Sequence, residues 1–370
     1  MGNMIDVHVA KGWRPFVDTF LKSINENLFV TKSVREIIFD GYHDPLFDNL
    51  ETIMQWLPFI KDLVPEGSMM DKFAFFYGRN GTDYTDGVFN MFTGVGDPAK
   101  MGQVHSWNYS TTGLFPGQCG QVRGGAGEFY PPFMEKTFIE MYSNDLCRSL
   151  KFNFKNEMMV KGINSYEFVA DHSLFANGTE NPLNSCFEPQ TAFLPSGVFN
   201  TSVCRFGAPV FVSQPHFHQA DPYYLNMVGK GIAPNSSLHS TYLRIEPRAG
   251  VPTDVTARFQ LNVLIDKVSG ISMMKGVSRT FFPVMWFENK AGVPDELVFK
   301  MKLLANLPEI LQGMGWAQIG LCVSIAIIST LVVISRKKRG EDTSPILNQS
   351  IQDEDDENVF LEDEGDSINP

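Results

Sequence analysis

The candidate metal-ligand group is His216, His218 and Asp221, in the run Pro215-His-Phe-His-Gln-Ala-Asp221. Alternate residues of a strand face the same way, so the two imidazoles could meet a metal together with the carboxylate. No further ligand stands at a telling distance, and two polar side chains at a strand end is the preferred reading. The glycine clusters Gly94-Val-Gly96 and Gly124-Gly-Ala-Gly127 lack the lysine of a phosphate loop and the strand–loop–helix setting, so they read as turns. The sequence holds no Gly-x-Ser-x-Gly elbow, and its carboxylates are scattered. The expectation is a protein that is not an enzyme and needs neither metal nor cofactor.

Cysteine and asparagine carry more information. Cys119, Cys147, Cys186 and Cys204 precede the apolar stretch described next, and Cys322 lies within it. An even number in an oxidising compartment reads as two disulfides, with three pairings open. Closing loops of this size contributes roughly 4 kcal/mol each in the chain-entropy treatment. No pair has the Cys-x-x-Cys spacing of a zinc or redox site. Acceptor sequons for N-glycosylation begin at Asn80, Asn108, Asn177, Asn200 and Asn235, all beside turn residues.

These readings need an oxidising side of a membrane, and the far end of the chain supplies the membrane. From Ile310 to Ser335 no side chain is charged, and Arg336-Lys-Lys-Arg339 follows at once. As a helix this stretch crosses a bilayer core of about 30 Å. Trp316 suits the outer interface and the basic cluster the cytosolic one. The expected organisation is an outer part over residues 1–309, a transmembrane helix over 310–335 and a cytosolic tail over 336–370. The tail has eleven acidic and four basic residues, hence −7 of the total −12; such a composition is most simply disordered. The outer part, at about −5, has no basic excess to suggest nucleic acid. Asn348-Gln-Ser falls on the cytosolic side, beyond the reach of glycosylation. The start, Met1-Gly-Asn-Met-Ile-Asp-Val-His8, has no apolar run and is no signal peptide; Asp6 stands where a myristoylation signal wants Ser or Thr. The expectation is an N-terminally truncated piece, or a product that misses its destination.

The elements follow from periodicity. Trp13, Phe16, Val17, Phe20, Leu21, Ile24 and Leu28 form a 3.6-residue stripe after Pro15, an amphipathic helix that packs against a core. Lys32 to Phe39 reads as a second helix ended by Gly41. Asp44-Pro45 opens a third, with Leu46, Phe47, Leu50, Ile53 and Leu57 on one side. After Pro65 the texture is short strands with turns. Phe73–Tyr77 before Arg79-Asn-Gly81 reads as a hairpin arm. Tyr242–Glu246 and Phe259–Ile265 flank Pro247-Arg-Ala-Gly250 as another. Ala208–Val212 and Phe281–Phe287 are apolar on both faces, as central strands are. Glu135–Leu146 and Pro294–Leu304 read as helices, the latter started by Pro294 with Asp295 and Glu296. No internal repeat is present. The fold expected is α+β, antiparallel strands with inserted helices in one domain.

Seven segments together resemble the class B scavenger receptors. They are 35–45 (REIIFDGYHDP), 80–89 (NGTDYTDGVF), 130–133 (YPPF), 146–149 (LCRS), 207–217 (GAPVFVSQPHF), 245–250 (IEPRAG) and 282–286 (FPVMW). The resemblance spans nearly everything from Trp13 to the basic cluster. It implies an ectodomain with an antiparallel β-barrel core under an apical helical bundle, and a tunnel that carries fatty acids, sterols or cholesteryl esters toward the membrane. The family has a span at each end, and this chain resembles only its later part, so a closed tunnel is in doubt and strand edges are expected to lie open. By the same resemblance Cys119 pairs with Cys186 and Cys147 with Cys204. The helix from Trp13 to Leu28 resembles the apical helices that meet ligand, with Lys22 alone basic on its middle turns.

In the tail, Asp342 stands four residues before Ile346-Leu347, the pattern of a dileucine signal read by sorting adaptors. The function implied is a receptor for lipids and lipoprotein particles at the plasma membrane or in endosomes and lysosomes. The alternative is a trafficking receptor that binds a protein cargo, such as a lysosomal hydrolase, through its apical helices. The Phe-rich composition, 31 residues in all, would line an apolar cavity in the first reading, although most are expected to fill the core.

Overall fold

The computed structural model describes residues 11–49, 52, 54–55, 72–82, 87–188, 194–205 and 207–355. The chain divides into two compact units, Met1–Ala305 and Asn306–Pro370. Residues 1–10 lie outside the described residues, as do Asp83–Asp86 and Leu50, Ile53 and Leu57 of the third expected helix.

Helix α1 (Arg14–Ser23) carries Pro15 in its first turn, where its missing N–H costs nothing. Its buried Val17 and Leu21 pack on Val268, Ile271 and Met274. The expected second helix is chiefly a π-helical stretch, Glu36–Asp40, closed by Gly41 at φ 74°. A helical turn, Pro45–Asp48, follows, with Asp44 Oδ1 accepting the Leu46 N–H at 3.0 Å, and Thr52, Met54 and Gln55 are helical too.

Ten strands follow. β1 (Phe89–Met91) and β2 (Val104–Trp107) form a separate two-stranded pair. The main sheet holds β3 (Phe138–Ser143), β4 (Arg148–Val160), β5 (Ile163–Val169), β6 (Phe199–Asn200), β7 (Val210–Ser213), β8 (Tyr242–Glu246), β9 (Val251–Ile265) and β10 (Thr280–Gly292). Two short helices, α2 (Pro222–Val228) and α3 (Ser236–His239), sit between β7 and β8, and α4 (Asp295–Asp355) closes the chain. All pairings between the strands are antiparallel, in the order β3-β4-β5-β8-β9-β7-β6, with β10 on β9. β9 is the central member: β10 runs along one side of it, β8 and then β7 along the other. The β8–β9 hairpin turns through Gly250, where the sequence placed it.

The sheet is open rather than a closed barrel. The outer edge of β3 is met by the glycine segment, where Gly125 N–H donates to Glu140 O and Gly125 O accepts from Tyr142 N–H, both at 2.9 Å. Loop backbone thus takes the place of a closing strand. Gly124 runs so close to Glu140 O that an added Cβ would lie 2.2 Å from it, which is why a Gly-rich run is found there.

Four expected elements differ. Glu135–Leu146 is not a helix: Phe138–Ser143 pairs residue for residue with β4, and its Phe, Ile and Tyr suit a half-buried pleat. Phe73–Tyr77 makes one bridge, Tyr42 with Phe73, because the next amides, Phe75 and Phe76, are spent on Ile37 O and Ile38 O. Phe281–Phe287 lies in an edge strand, with Phe281 alone of that run buried. The helix begun at Asp295 does not stop at Leu304 but runs unbroken through Ser335 and on to Asp355, where a disordered tail is expected. Extension adds one hydrogen bond per residue fixed once a helix exists, so an established helix propagates easily.

The main core gathers Tyr130, Ile139, Leu150, Phe152, Phe168, Leu243, Ile245 and Phe259 from β3, β4, β5, β8, β9 and the segment before β3. A second cluster packs Phe211, Phe217, Tyr224 and Phe281 between β7, β10 and α2. Many phenylalanines therefore fill core, as the composition suggests.

Candidate functional site

The alternation of β9 hides an inversion. Its polar residues Thr256, Arg258, Gln260 and Asn262 are the buried set, with Gln260 2% and Asn262 0% exposed. Loop 213–219 covers them: Asn262 Nδ2 donates to Ser213 Oγ at 3.0 Å, and Gln260 Oε1 accepts the His216 N–H at 2.9 Å. Buried amides persist because these bonds satisfy them. Of the apolar alternates, Phe259 is buried in the main core, Val255, Ala257 and Leu261 are half-buried against that core, and Val263 and Ile265 are half-buried beyond it. Residues paired across an antiparallel ladder share a face, so Phe282, Met285 and Phe287 of β10 continue this strip. Phe282 is 47% exposed. On the same face over β4, β5 and β8 the sheet is sealed by the main core, and toward β10 it opens. Sequence periodicity reported the two faces but not which one the loops would cover.

The cysteine layer ties the other end of the sheet. Cys119 is bonded to Cys186 and Cys147 to Cys204, with Cα–Cα distances of 5.8 and 6.2 Å. Beside Cys147, the fully buried Arg148 guanidinium lies 3.8, 4.2 and 5.1 Å from the ring centres of Phe187, Phe199 and Phe115, a cation–π cage. It donates to Asn200 O at 3.1 Å. Burial pushes it down to about 9, with Glu188 opposing, so it stays charged at neutral pH. Burial likewise pushes the Glu188 carboxyl up, against the pull of Arg148. Local pattern carries no sign of this cage, since its rings come from three separate segments.

α1 is fastened rigidly. Asp18 accepts Lys22 Nζ at 2.7 Å and the Ser272 N–H and Oγ at 2.6 Å each; these bonds, Lys22 first, hold its carboxyl down to about 2. Lys22 is thus paired. Trp13 and Phe16, in edge contact at 6.2 Å, remain 58% and 42% exposed on the outward face.

The candidate metal set is not assembled. Asp221 caps α2, accepting the Tyr223 N–H at 2.8 Å. His216 Nδ1 lies 3.0 Å from Ala233 O, and His218 Nε2 3.2 Å from Ser240 Oγ. Among the described residues no cluster of three such ligands occurs. Gly94, Gly96, Gly124 and Gly127 all have positive φ, as turn glycines do.

Asn80, Asn108 and Asn235 are exposed, Asn177 and Asn200 half-buried. Asn177 Nδ2 donates to Leu194 O at 2.8 Å, and Asn200 Oδ1 accepts the Ser202 N–H at 3.0 Å. The backbone of Asp342, Ile346 and Leu347 is helical within α4; their side chains lie outside the described residues.

A disulfide-tied antiparallel unit precedes a helix whose segment Asp295–Arg339 is long and apolar enough to cross a membrane, mean hydropathy 2.4 in its richest window. That combination defines the class, a membrane protein with a folded unit before its candidate span. The CD36 family is matched over residues 4–333, and the chain belongs to it. It is 36% identical over 297 residues to Protein peste of Drosophila melanogaster, covering 79% of this chain and 52% of that one. With Scavenger receptor class B member 1 of Sus scrofa it shares 33% over 322 residues, 85% of this chain and 60% of the relative. With human Lysosome membrane protein 2 it shares 27% over 312 residues, 82% and 62%. The chain thus spans between 52% and 62% of the length of these relatives. It is a membrane protein of a family whose named members include receptors.

Proposed function

We propose that the chain is a scavenger-type receptor that binds lipoprotein particles, fatty acids or other lipids and passes lipid toward the membrane along a hydrophobic conduit. The observation that carries this reading is the apolar face of β9 and β10, which continues from the core around Phe259 to a half-open end at Val263 and Phe282, and whose reverse side is sealed by buried polar bonds. An apolar wall of this kind suits an acyl or sterol ligand, whose transfer from water is favourable by about 25 cal/mol per Å² buried. Nothing in this reading requires covalent chemistry. The apical face is α1 with its neighbouring turns. Residues 1–309 lie outside the cytosol, 310–335 span the bilayer and 336–370 face the cytosol. The outer part bears N-glycans and its two disulfides, and Asp342 with Ile346-Leu347 engages sorting adaptors.

The test is uptake of a fluorescent fatty acid and cholesteryl ester by cells expressing the chain, with surface delivery measured by biotinylation. Phe282→Glu places a charge on the strip at a half-exposed position. It is expected to abolish uptake and leave delivery intact. Unchanged uptake, or no uptake by the delivered parent chain, would sink the conduit.

A second reading, a trafficking receptor for a protein cargo, is favoured by the outward Trp13 and Phe16 on the rigid α1. Trp and other aromatics on a rigid face are frequent interface anchors. Trp13→Ala reducing cargo capture, with lipid uptake unaffected, would select it.

A further inference from the structure

We propose that His216, His218 and His239 form an acid-released clasp that holds segment 233–240 against the polar face of β9 and β10. The inference does not depend on which ligand the receptor carries.

Two of the imidazoles reach the segment from loop 213–219, and the third, His239, closes it from within. His216 Nδ1 lies 3.0 Å from Ala233 O; a carbonyl only accepts, so this nitrogen bears the hydrogen. His239 Nδ1 receives the Asn235 N–H at 2.9 Å and so holds its lone pair there. His218 Nε2 meets Ser240 Oγ at 3.2 Å. The His216 and His239 rings lie 4.2 Å apart, centre to centre, with Trp286 edge-on to both at 6.5 and 6.0 Å. His239 is 4% and His218 8% exposed.

Protonation of His239 undoes this arrangement in two ways. A proton on His239 Nδ1 sets a donor against the Asn235 N–H, so a bond becomes a repulsion. Charge on His239 then faces His216 at stacking distance and the permanently charged Arg258. That guanidinium donates to Ser240 O at 2.7 Å from β9, and its Nε bonds Glu288 of β10 at 2.6 Å. Glu288 also serves Lys290 at 3.0 Å, so its charge is already shared between two cations. Asp221 is committed to the α2 cap. Among the described residues no carboxylate is hydrogen-bonded to any of the three rings.

Burial pushes both His239 and His218 below the usual histidine range, and His239 is pushed further by His216, His218 and Arg258. A folded-state value below the unfolded one means full stability above pH ~6.5 and loss as pH falls through the lowered values. His172 works in the opposite sense. Its bonds to Gln219 O and Glu180 raise it, so acid tightens the far side of loop 214–219 and confines the loosening to 233–240.

The test is amide hydrogen exchange on the full chain in detergent micelles at pH 7.4 and 5.0, corrected for intrinsic rates. Protection at 235–240 is expected to be lost at pH 5.0 relative to pH 7.4, with β8 and β9 unchanged. Equal protection at both pH values would overturn the clasp. His239→Gln keeps an acceptor oxygen but cannot titrate, so the acid effect should shrink; its full retention would also overturn the proposal. Should that variant misfold, imidazole C2-proton exchange on the unaltered chain decides directly. His239 titrating below 6.5 supports the clasp, and a value at or above 6.5 refutes it.

Discussion

Gly250→Ala is the sharpest probe of how the β8–β9 hairpin is seated. Gly250 sits at φ 68°, and an added Cβ would lie 2.0 Å from Tyr130 O. That oxygen is backbone, so no side-chain rotation relieves the clash. The Tyr130 segment would have to retreat by about 1 Å or more to reach ordinary contact distance. It is fastened there by Tyr130 N–H to Gly250 O at 2.9 Å, Phe133 N–H to Arg248 O at 3.3 Å and Met134 N–H to Pro247 O at 2.8 Å. Losing two or three such bonds costs about 1 kcal/mol each. Left-handed φ for an L residue adds about 1 kcal/mol, for a total of roughly 3–4 kcal/mol. Gly78 is the matched control: φ 74° with nothing within 4 Å of its added Cβ, so Gly78→Ala carries only the conformational cost of about 1 kcal/mol. The difference amounts to about 4–6 °C in Tm for a unit of this size, read by thermal unfolding of the full chain in detergent. Equal losses for the two variants would refute the argument from steric contact.

Arg148→Ala should cost about 4 kcal/mol, because it empties the three-ring cage and strands Glu188. Arg148→Met with Glu188→Gln should recover most of that in denaturant titration, since volume is kept and no charge is left buried. Glu26, half-buried near Asp44, has its carboxyl pushed up to about 7, first by burial and then by Asp44. Its folded value exceeds the unfolded one, so stability falls as pH rises from about 4.5 through 7. Glu26→Gln should therefore stabilise by about 1 kcal/mol at pH 7.4 after allowance for solvent screening, and have no effect at pH 4, in paired melting curves. For the glycans, Asn235→Gln should lower the mass of the cell-expressed chain by one glycan, whereas Asn177→Gln should not, because the Asn177 amide is held by Leu194 O. The reverse pattern in glycosidase-treated gels would contradict this.

The sequence alone determined what depends on local pattern or on residue type. The uncharged run from Ile310 to Ser335 with its basic end was legible because crossing a bilayer is a matter of length and charge. The amphipathic α1, the Gly41 stop and the Gly250 hairpin were legible because each is set by neighbours a few residues away. Family membership was legible because whole motifs stand in order. Tertiary structure decided the rest. It made a strand of Phe138–Ser143, since pairing with β4 outweighs a helix-compatible pattern. It placed Phe281–Phe287 at a sheet edge, where an apolar run alone predicts a centre. It drew Arg148 into a cage from Phe115, Phe187 and Phe199, and three histidines onto one segment, though neither set is contiguous in the chain. Above all it decided what covers each face of β9. Alternation is symmetric, and only the loops that lie on Gln260 and Asn262 bury the polar side, while the main core fills the apolar side at Phe259 and leaves it half-open toward Phe282.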